Sequence, residues 1–203
     1  MNKNTVQPTV FVVDDDQAMR DSLCMLLESV GVACRTFPSA NDFLASCDPE
    51  HEGCLLLDVR MPGMSGMELL EMLKSRGILL PPILITGHGD VPMAVRALKQ
   101  GAYDFIQKPF NTQELLDRIH SAIQMDGENR LHLREIERRR AHLDTLTKRE
   151  AEVVDLIVAG NSSKVIAMKL GISPKTVDAH RANILKKLDV RTVAEIVQFR
   201  LNL

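Results

Sequence analysis

The sequence is poor in aromatic residues: it has no tryptophan, one tyrosine and six phenylalanines among 203 residues. Hydrophobic residues still make up 45% of the chain, so its cores must be aliphatic, and its length suits one or two domains. No apolar run approaches the ~20 residues of a membrane-spanning helix, and no signal-peptide segment precedes the first apolar run. These two absences predict a cytoplasmic protein with no membrane partner.

Cysteine is also scarce, and its spacing excludes two classes of site. The four cysteines contain no CxxC pair and lie in ordinary helix-like or strand-like contexts. A disulfide framework or a cysteine-based metal site would need clustered or regularly spaced cysteines. We therefore expect Cys24, Cys34, Cys47 and Cys54 to be reduced structural thiols.

The small net charge of −2 hides two halves of opposite sign. Residues 1–125 contain 10 basic and 16 acidic residues, whereas residues 126–203 contain 15 basic and 11 acidic ones. An acidic first half suits a metal or phosphoryl site. A mildly basic second half permits contact with nucleic acid.

Strand-like and helix-like segments alternate through the first half. Short apolar runs are followed by stretches in which apolar residues recur every three or four positions, as on one face of a helix. The predicted strands are residues 9–13, 33–37, 54–57, 83–86 and 103–107. Five such alternations with short connections predict a doubly wound α/β domain over residues 1–125, with a five-stranded parallel sheet between two layers of helices.

Polar side chains end or directly follow four of these strands: Asp14 and Asp15, Asp58, Thr86, and Lys108. Because the carboxyl ends of parallel strands meet at one edge of a sheet, we expect these groups to converge. Carboxylates this close repel one another unless a cation lies among them, and oxygen ligands suit Mg²⁺. A carboxylate beside Mg²⁺ and a lysine can attack a phosphoryl group, so the pattern predicts a covalent aspartyl phosphate.

The second half of the sequence is predicted to be entirely helical. Residues 126–143 are dense in charge and contain no proline, which indicates a helical linker. This linker either pairs with a partner chain or remains a solvated helix, and the sequence leaves both open. Residues 144–203 form an all-α unit of four predicted helices.

Two of these four helices have the spacing of a helix-turn-helix. Thr147 and Glu150 make a capping-box pattern, and Ser173 before Pro174 is a helix start. The short turn around Gly171 joins the helix beginning near Ser162 to the helix that Pro174 opens, which predicts a DNA-binding motif over residues 163–182.

These motifs resemble those of two-component response regulators of the FixJ/NarL type. Residues 8–125 are similar to CheY-like receiver domains in the paired aspartates after strand one, the Asp58-Val-Arg-Met-Pro-Gly loop, Thr86-Gly and Lys108-Pro109. Residues 144–203 resemble LuxR-type helix-turn-helix domains. The resemblance covers all but the extreme N-terminus and the linker.

The resemblance implies roles for particular residues of the first half. Asp58 would accept the phosphoryl group from a sensor histidine kinase, Lys108 and Thr86 would bind it, and Phe105 would turn inward on activation. The resemblance implies that this movement alters the surface made by the helix from Pro92 to Gln100 and the fifth strand, where family members dimerise. The implied Mg²⁺ ligands are Asp14, Asp15, Asp58 and the backbone carbonyl of Arg60. His88 is expected to be an ordinary loop residue.

The predicted recognition helix offers a second set of site residues, expected to contact promoter DNA. Base-reading side chains should lie in its N-terminal half, which favours Asp178, Ala179 and Ala182. Phosphate contacts, which position a protein without specifying sequence, are expected from Lys164, Lys175, Thr176, Arg181 and Lys186. His180 is expected to be partly packed, and Ser163 stands where the family commonly has asparagine.

Other functions fit parts of the pattern. Asp14-x-Asp16 after a strand superficially matches the nucleophile motif of haloacid-dehalogenase phosphohydrolases, although no cap domain is visible and Gln17-Ala18 follow instead of threonine or valine. The helical unit could instead bind protein or RNA. We favour a non-enzymatic transcription regulator that dimerises on phosphorylation, with RNA polymerase as a further partner that the resemblance allows.

Overall fold

The computed structural model describes residues 7–87 and 89–201. Its strands are β1 (Thr9–Val13), β2 (Ala33–Phe37), β3 (Gly53–Asp58), β4 (Pro82–Thr86) and β5 (Asp104–Gln107). Its helices are α1 (Gln17–Ser29), α2 (Ala40–Ser46), α3 (Gly66–Ser75), α4 (Val91–Gln100), α5 (Thr112–Asp144), α6 (Lys148–Val158), α7 (Ser163–Leu170), α8 (Pro174–Lys187) and α9 (Val193–Leu201). The chain divides into two compact units, Met1–Asn129 and Arg130–Leu203.

The first unit contains a parallel five-stranded sheet in the order β2-β1-β3-β4-β5. All six residues of the central strand β3 are buried, as expected for a strand covered on both faces. Successive side chains point to opposite faces, so Leu55 and Leu57 enter one core while Cys54 and Leu56 enter the other. The predicted fold class of this half is confirmed.

The predicted C-terminal helix of the first unit and the predicted helical linker form one continuous helix, α5. The side chain of Asn111 accepts hydrogen bonds from the amides of Gln113 (2.8 Å) and Glu114 (3.2 Å), so it supplies the expected start. Asp126, counted in the linker by the sequence interpretation, is buried and accepts a hydrogen bond from the Gly53 amide at 2.9 Å. The start of this segment therefore belongs to the sheet domain's packing.

The second unit is a helical domain around one apolar core. Val153, Ile166, Val177, Ile184 and Ile196 are fully buried in it, one or two from each of α6, α7, α8 and α9. The predicted capping box of Thr147 and Glu150 is present. Ser173 caps α8 as predicted, with Pro174 in its first turn, and Gly171 ends α7 in the left-handed conformation that glycine adopts without strain.

An ion pair joins the start of α6 to the end of α8. The Glu150 carboxylate is buried and accepts hydrogen bonds from Lys187 Nζ at 2.7 Å and from the Thr147 amide at 2.8 Å. Burial opposes ionisation of Glu150, but the bonds from Lys187 and Thr147 outweigh it and hold the pKa of this carboxyl below its ordinary value. The charged form of Glu150 thus contributes to the stability of the helical unit.

We expect this unit to lose stability on acidification. Because the folded pKa of Glu150 is lower than the unfolded value of about 4.3, its contribution is complete above that pH and is lost as the pH falls below it. Hydrogen exchange of α6 and α8 amides at pH 6 and pH 4 measures the loss. Glu150→Gln should cost on the order of 1–2 kcal/mol at pH 6 and weaken the acid response. The exposed control Glu152→Gln should change stability by less than about 0.5 kcal/mol; an unaltered acid response in Glu150→Gln would contradict the assignment.

Candidate functional site: an acidic crevice and a recognition helix

The crevice lies where the order of the strands reverses, between β1 and β3. In this strand order the connections diverge between β1 and β3, which opens a cleft beyond the carboxyl ends of those two strands. Asp14 directly follows β1 and Asp58 is the last residue of β3, and both are nearly buried, at 4% and 8% exposure. The topology therefore places two carboxylates at the one position where such folds bind ligands.

Lys108, which follows β5, joins the two carboxylates. Its Nζ donates to Asp14 Oδ2 at 2.9 Å and to Asp58 Oδ1 at 2.8 Å. The amides of Asp16 and Arg60 donate to the other two oxygens, at 2.9 Å to Asp14 Oδ1 and 2.7 Å to Asp58 Oδ2. Each carboxylate oxygen thus has one donor and retains the capacity to accept another bond.

Burial and neighbouring charges shift the pKa values of Asp58 and Lys108. Burial raises the pKa of Asp58, with a smaller contribution from the Asp14 charge, and the bonds from Lys108 and the Arg60 amide only partly oppose it. Burial alone would lower the pKa of Lys108, but Asp58 and Asp14 together raise it above its ordinary value. The lysine is therefore held as a cation beside a comparatively basic carboxylate.

The predicted metal ligands are only partly assembled. Asp15 is exposed, whereas Asp14 and Asp58 converge, and no group of three or more His, Cys, Asp and Glu side chains in the described ranges is placed to hold a metal. Mg²⁺ commonly uses only one or two carboxylates and keeps several waters. The two converging carboxylates therefore fit Mg²⁺ in their chemistry, and Lys108 Nζ contacts both of them.

Arg20 is a site residue that the sequence interpretation missed. It lies on α1, is buried, and its Nη1 donates to the backbone carbonyl of Asp14 at 2.6 Å; it also bonds the Gln17 side chain. The guanidinium holds the main chain that carries Asp14. The available signal was a charged residue on the otherwise apolar face of the first helix, between Met19 and Leu23.

The loop after β3 needs glycine at position 66, because the backbone there leaves no room for a side chain. Its amide donates to the Val59 carbonyl at 3.0 Å. A Cβ at this position would lie 2.2 Å from the carbonyl oxygen of Asp58. Only glycine lets α3 begin this close to the end of β3, so the packing of α3 fixes the backbone of Asp58.

Thr86 and Phe105 lie on neighbouring strands beside the crevice. Thr86 ends β4 and is buried, and its carbonyl accepts the Lys108 amide at 2.7 Å. A Cβ placed on Gly89 would lie 2.8 Å from Thr86 Cγ2 and 2.7 Å from Phe105 Cζ. The threonine methyl and the aromatic ring thus pack against the same backbone point, so a movement of either changes the space available to the other. His88, predicted to be an ordinary loop residue, lies outside the described residues.

Most of the predicted DNA-contacting residues are exposed on the helical unit. Lys164 on α7 is exposed, as are six residues of α8 that include every predicted base-reading position: Lys175, Thr176, Asp178, Ala179, Ala182 and Lys186. His180 is half-buried, as predicted. These side chains form the accessible surface of the helix-turn-helix.

Arg181 differs from this pattern. It is half-buried and its Nη1 donates to Ser163 Oγ at 2.6 Å. Ser163 Oγ in turn lies 3.2 Å from Asp178 Oδ1. The side chain predicted to reach a DNA phosphate is therefore engaged within the protein, because a serine at the start of α7 offers it an acceptor.

Two family models match the chain. Residues 10–120 match the response regulator receiver domain, and residues 144–200 match the luxR family of bacterial regulatory proteins. The chain belongs to the response regulators. Its two units thus correspond to a receiver domain and a LuxR-type DNA-binding domain, and the protein is a transcription regulator of the two-component type. In the described part of the chain, no helix is both long and apolar enough to cross a membrane.

Curated relatives and solved structures agree with this assignment. The transcriptional regulatory protein TdiR of Thauera aromatica is 45% identical over 191 residues, 94% of this chain and 84% of the relative. FixJ of Azorhizobium caulinodans is 41% identical over 192 residues, 95% of this chain and 91% of the relative. A structure of the response regulator StyR is 45% identical with a TM-score of 0.88, covering 98% of this chain and 100% of that one. Full-length FixJ from B. japonicum is 39% identical with a TM-score of 0.60, covering 98% of each chain.

Proposed function

We propose that this response regulator accepts a phosphoryl group on Asp58 from a sensor histidine kinase, and that phosphorylation promotes dimerisation and promoter binding through α8. The observation that carries the proposal is the contact of Lys108 with both Asp14 and Asp58. It supplies a nucleophilic carboxylate and a fixed cation in one crevice.

Asp58 and Lys108 have different proposed roles in phosphoryl transfer. An oxygen of Asp58 forms a bond to phosphorus as the bond from phosphorus to the histidine nitrogen of the kinase breaks. Before transfer, Lys108 Nζ contacts the carboxylates of Asp14 and Asp58. After transfer, the same ammonium can pair with the oxygens of the phosphoryl group.

Mg²⁺ is the proposed cofactor. Asp14, Asp15, Asp58 and the backbone carbonyl of Arg60 would hold it, and when bound it would neutralise negative charge on the phosphoryl oxygens. Two nearly buried carboxylates and one ammonium leave a negative site, which favours a divalent cation before a phosphoryl group enters.

Phosphorylation is proposed to change the surface of α4 through coupled movements of Thr86 and Phe105. Thr86 would hydrogen-bond the phosphoryl group and shift towards it, and the Phe105 ring would follow because both pack against Gly89. α4 exposes Val91, Val95 and Leu98, with exposures of 77%, 44% and 47%. These apolar side chains are the proposed dimer contact of the phosphorylated protein.

The helical unit is proposed to bind double-stranded promoter DNA. Asp178, Ala179 and Ala182 on α8 suit the major groove. The flanking phosphates suit the exposed Lys164, Lys175, Thr176 and Lys186. A duplex target implies a cytoplasmic location and makes RNA polymerase a further partner. Under this proposal the domain bounds are 1–125 and 144–203, with residues 126–143 as a linker whose first residue, Asp126, still packs on the receiver domain. The chain acts as a regulator rather than an enzyme.

Mapping the labelled carboxylate tests the proposal against a phosphohydrolase. The full-length protein is incubated with Mg²⁺ and an acyl phosphate donor, and the acyl phosphate is reduced with borohydride and located by peptide mass analysis. Label on Asp58 is expected, whereas label on Asp14 would favour the dehalogenase-type reaction. Asp16 already caps α1, accepting from the Ala18 amide at 2.9 Å, which favours a structural role for the second aspartate of that motif.

A further inference from the structure

A chain of three polar side chains connects the first turn of α7 with the middle of α8. Arg181 Nη1 donates to Ser163 Oγ at 2.6 Å, and Ser163 Oγ donates to Asp178 Oδ1 at 3.2 Å. A hydroxyl has one proton and two lone pairs, so it can accept from the guanidinium and donate to the carboxylate at the same time. The bonds therefore run in one direction, from a cation through a neutral relay to an anion.

This chain gives its two charged ends different environments. Arg181 is half-buried and directed towards α7, whereas Asp178 is exposed. Oδ1 of Asp178 is used by the serine, and Oδ2 lies outside this chain of bonds. Asp178 thus has a preferred orientation on the exposed, N-terminal half of the recognition helix, which an unsupported aspartate at the same position would lack.

A carboxylate held in one orientation can distinguish between bases by the groups that they present in the major groove. An ionised carboxylate only accepts hydrogen bonds, so it is repelled by phosphates and by the acceptor atoms of guanine in the major groove. Cytosine presents the N4 amino group there, and Glu or Asp is the side chain that suits it. Adenine also presents an amino group, but its neighbouring N7 acceptor disfavours a carboxylate.

We propose that Ser163 is a positioning residue for sequence readout: by bridging Arg181 and Asp178, it holds the Asp178 carboxylate towards the amino group of a cytosine at one position of each half-site. The proposal rests on the proposed function, since it requires α8 to enter the major groove. It also assigns Arg181 to the support of Asp178 and not to a DNA phosphate.

The test measures base preference separately from overall affinity. Full-length protein, treated with Mg²⁺ and an acyl phosphate donor, selects its preferred duplex from a random pool, and Kd is then measured for that duplex and for every single base-pair change. The wild type is expected to prefer cytosine about tenfold at one position. Asp178→Ala should remove the preference there and leave the other positions unchanged. Ser163→Ala should reduce the same preference several-fold, and Ser163→Thr, which keeps the hydroxyl, should restore it.

The dependence of Kd on salt gives a second readout. The slope of log Kd against log salt counts phosphate contacts, so Ser163→Ala and Asp178→Ala should leave it unchanged. Asn183→Ala, an exposed control on α8 outside the proposed site, should alter neither preference nor slope. If Ser163→Ala weakens all duplexes equally and lowers the slope by about 1, the serine supports a phosphate contact and the proposal is wrong.

Two further outcomes also decide the question. If Asp178→Ala still prefers cytosine, Asp178 does not read that base and the proposal is wrong. This result holds whatever the stability of the Ser163 variants. If the wild type retains no duplex under any condition, the proposed function fails and the readout fails with it. Uniform binding of all duplexes by the wild type leaves DNA binding intact and rejects only the role of Ser163 and Asp178.

Discussion

Asp58→Asn is expected to abolish phosphoryl uptake completely. An amide nitrogen or oxygen is too weak a nucleophile to displace the leaving group of an acyl phosphate. Asp14 also contacts Lys108, but it is proposed to help hold Mg²⁺ and not to attack. With Mg²⁺ and the donor, intact mass should show one phosphoryl adduct on the wild type and none on the variant. The donor-dependent rise in dimer and in DNA affinity should disappear with it.

Two variants control for less specific effects of this substitution. Asp117→Asn, exposed on α5, should take up one phosphoryl group at the wild-type rate. Asp14→Asn should still be labelled, at a lower rate, because Asp14 is proposed to help hold Mg²⁺ and not to attack. An adduct on Asp58→Asn that maps to Asp14 would show that the nucleophile has been misassigned.

The sheet could be predicted, as could the convergence of the polar residues at the ends of its strands. Both follow from the pattern of apolar and polar residues within short segments of the sequence. A fully buried strand such as β3 appears in sequence as an uninterrupted apolar run, and in a parallel sheet its last residue lies at the ligand-binding edge. Asp14, Asp58 and Lys108 are separated by 44 residues or more in sequence, yet their contact needs only the correct strand order, since each directly follows or ends a strand.

The burial of Asp14 and the exposure of Asp15 could not be predicted from the motif. Both aspartates follow β1, and which of them turns inward depends on the Arg20 bond to the Asp14 carbonyl and the Asp16 amide bond to its carboxylate. Similarly, the continuous α5 passes Gly127, which pattern rules place near a helix end. This glycine is exposed with no atom near its missing side chain, so the helix tolerates it there.

The inward position of Arg181 was beyond sequence reasoning for a different reason. On a helix wheel it flanks the apolar stripe and could face either solvent or α7. The choice depends on the Ser163 hydroxyl, 18 residues earlier in the chain. A substitution away from the family's common asparagine was visible, but its effect on two α8 side chains required the packing of α7 against α8.

Lys108→Met is expected to slow phosphoryl uptake by on the order of 10²–10³-fold while leaving Asp58 as the labelled residue. Removing one preorganised charge that stabilises a developing oxyanion typically costs this much, and methionine keeps most of the volume of the lysine stem. The initial rate of adduct formation at saturating Mg²⁺ measures the effect. Lys99→Met, an exposed lysine on α4, is the matched control and should react at the wild-type rate.

The same variant separates charge stabilisation of the transition state from metal recruitment. Without the ammonium, Asp14 and Asp58 lose the cation that lies 2.9 and 2.8 Å from them, so their mutual repulsion increases and Mg²⁺ should bind more tightly, as titration calorimetry can measure. Slower phosphoryl uptake despite tighter Mg²⁺ binding can arise only if Lys108 acts on the transferred group itself. Slower uptake together with weaker Mg²⁺ binding would instead mean that the lysine organises the metal site, and its assignment to the phosphoryl oxygens would be wrong.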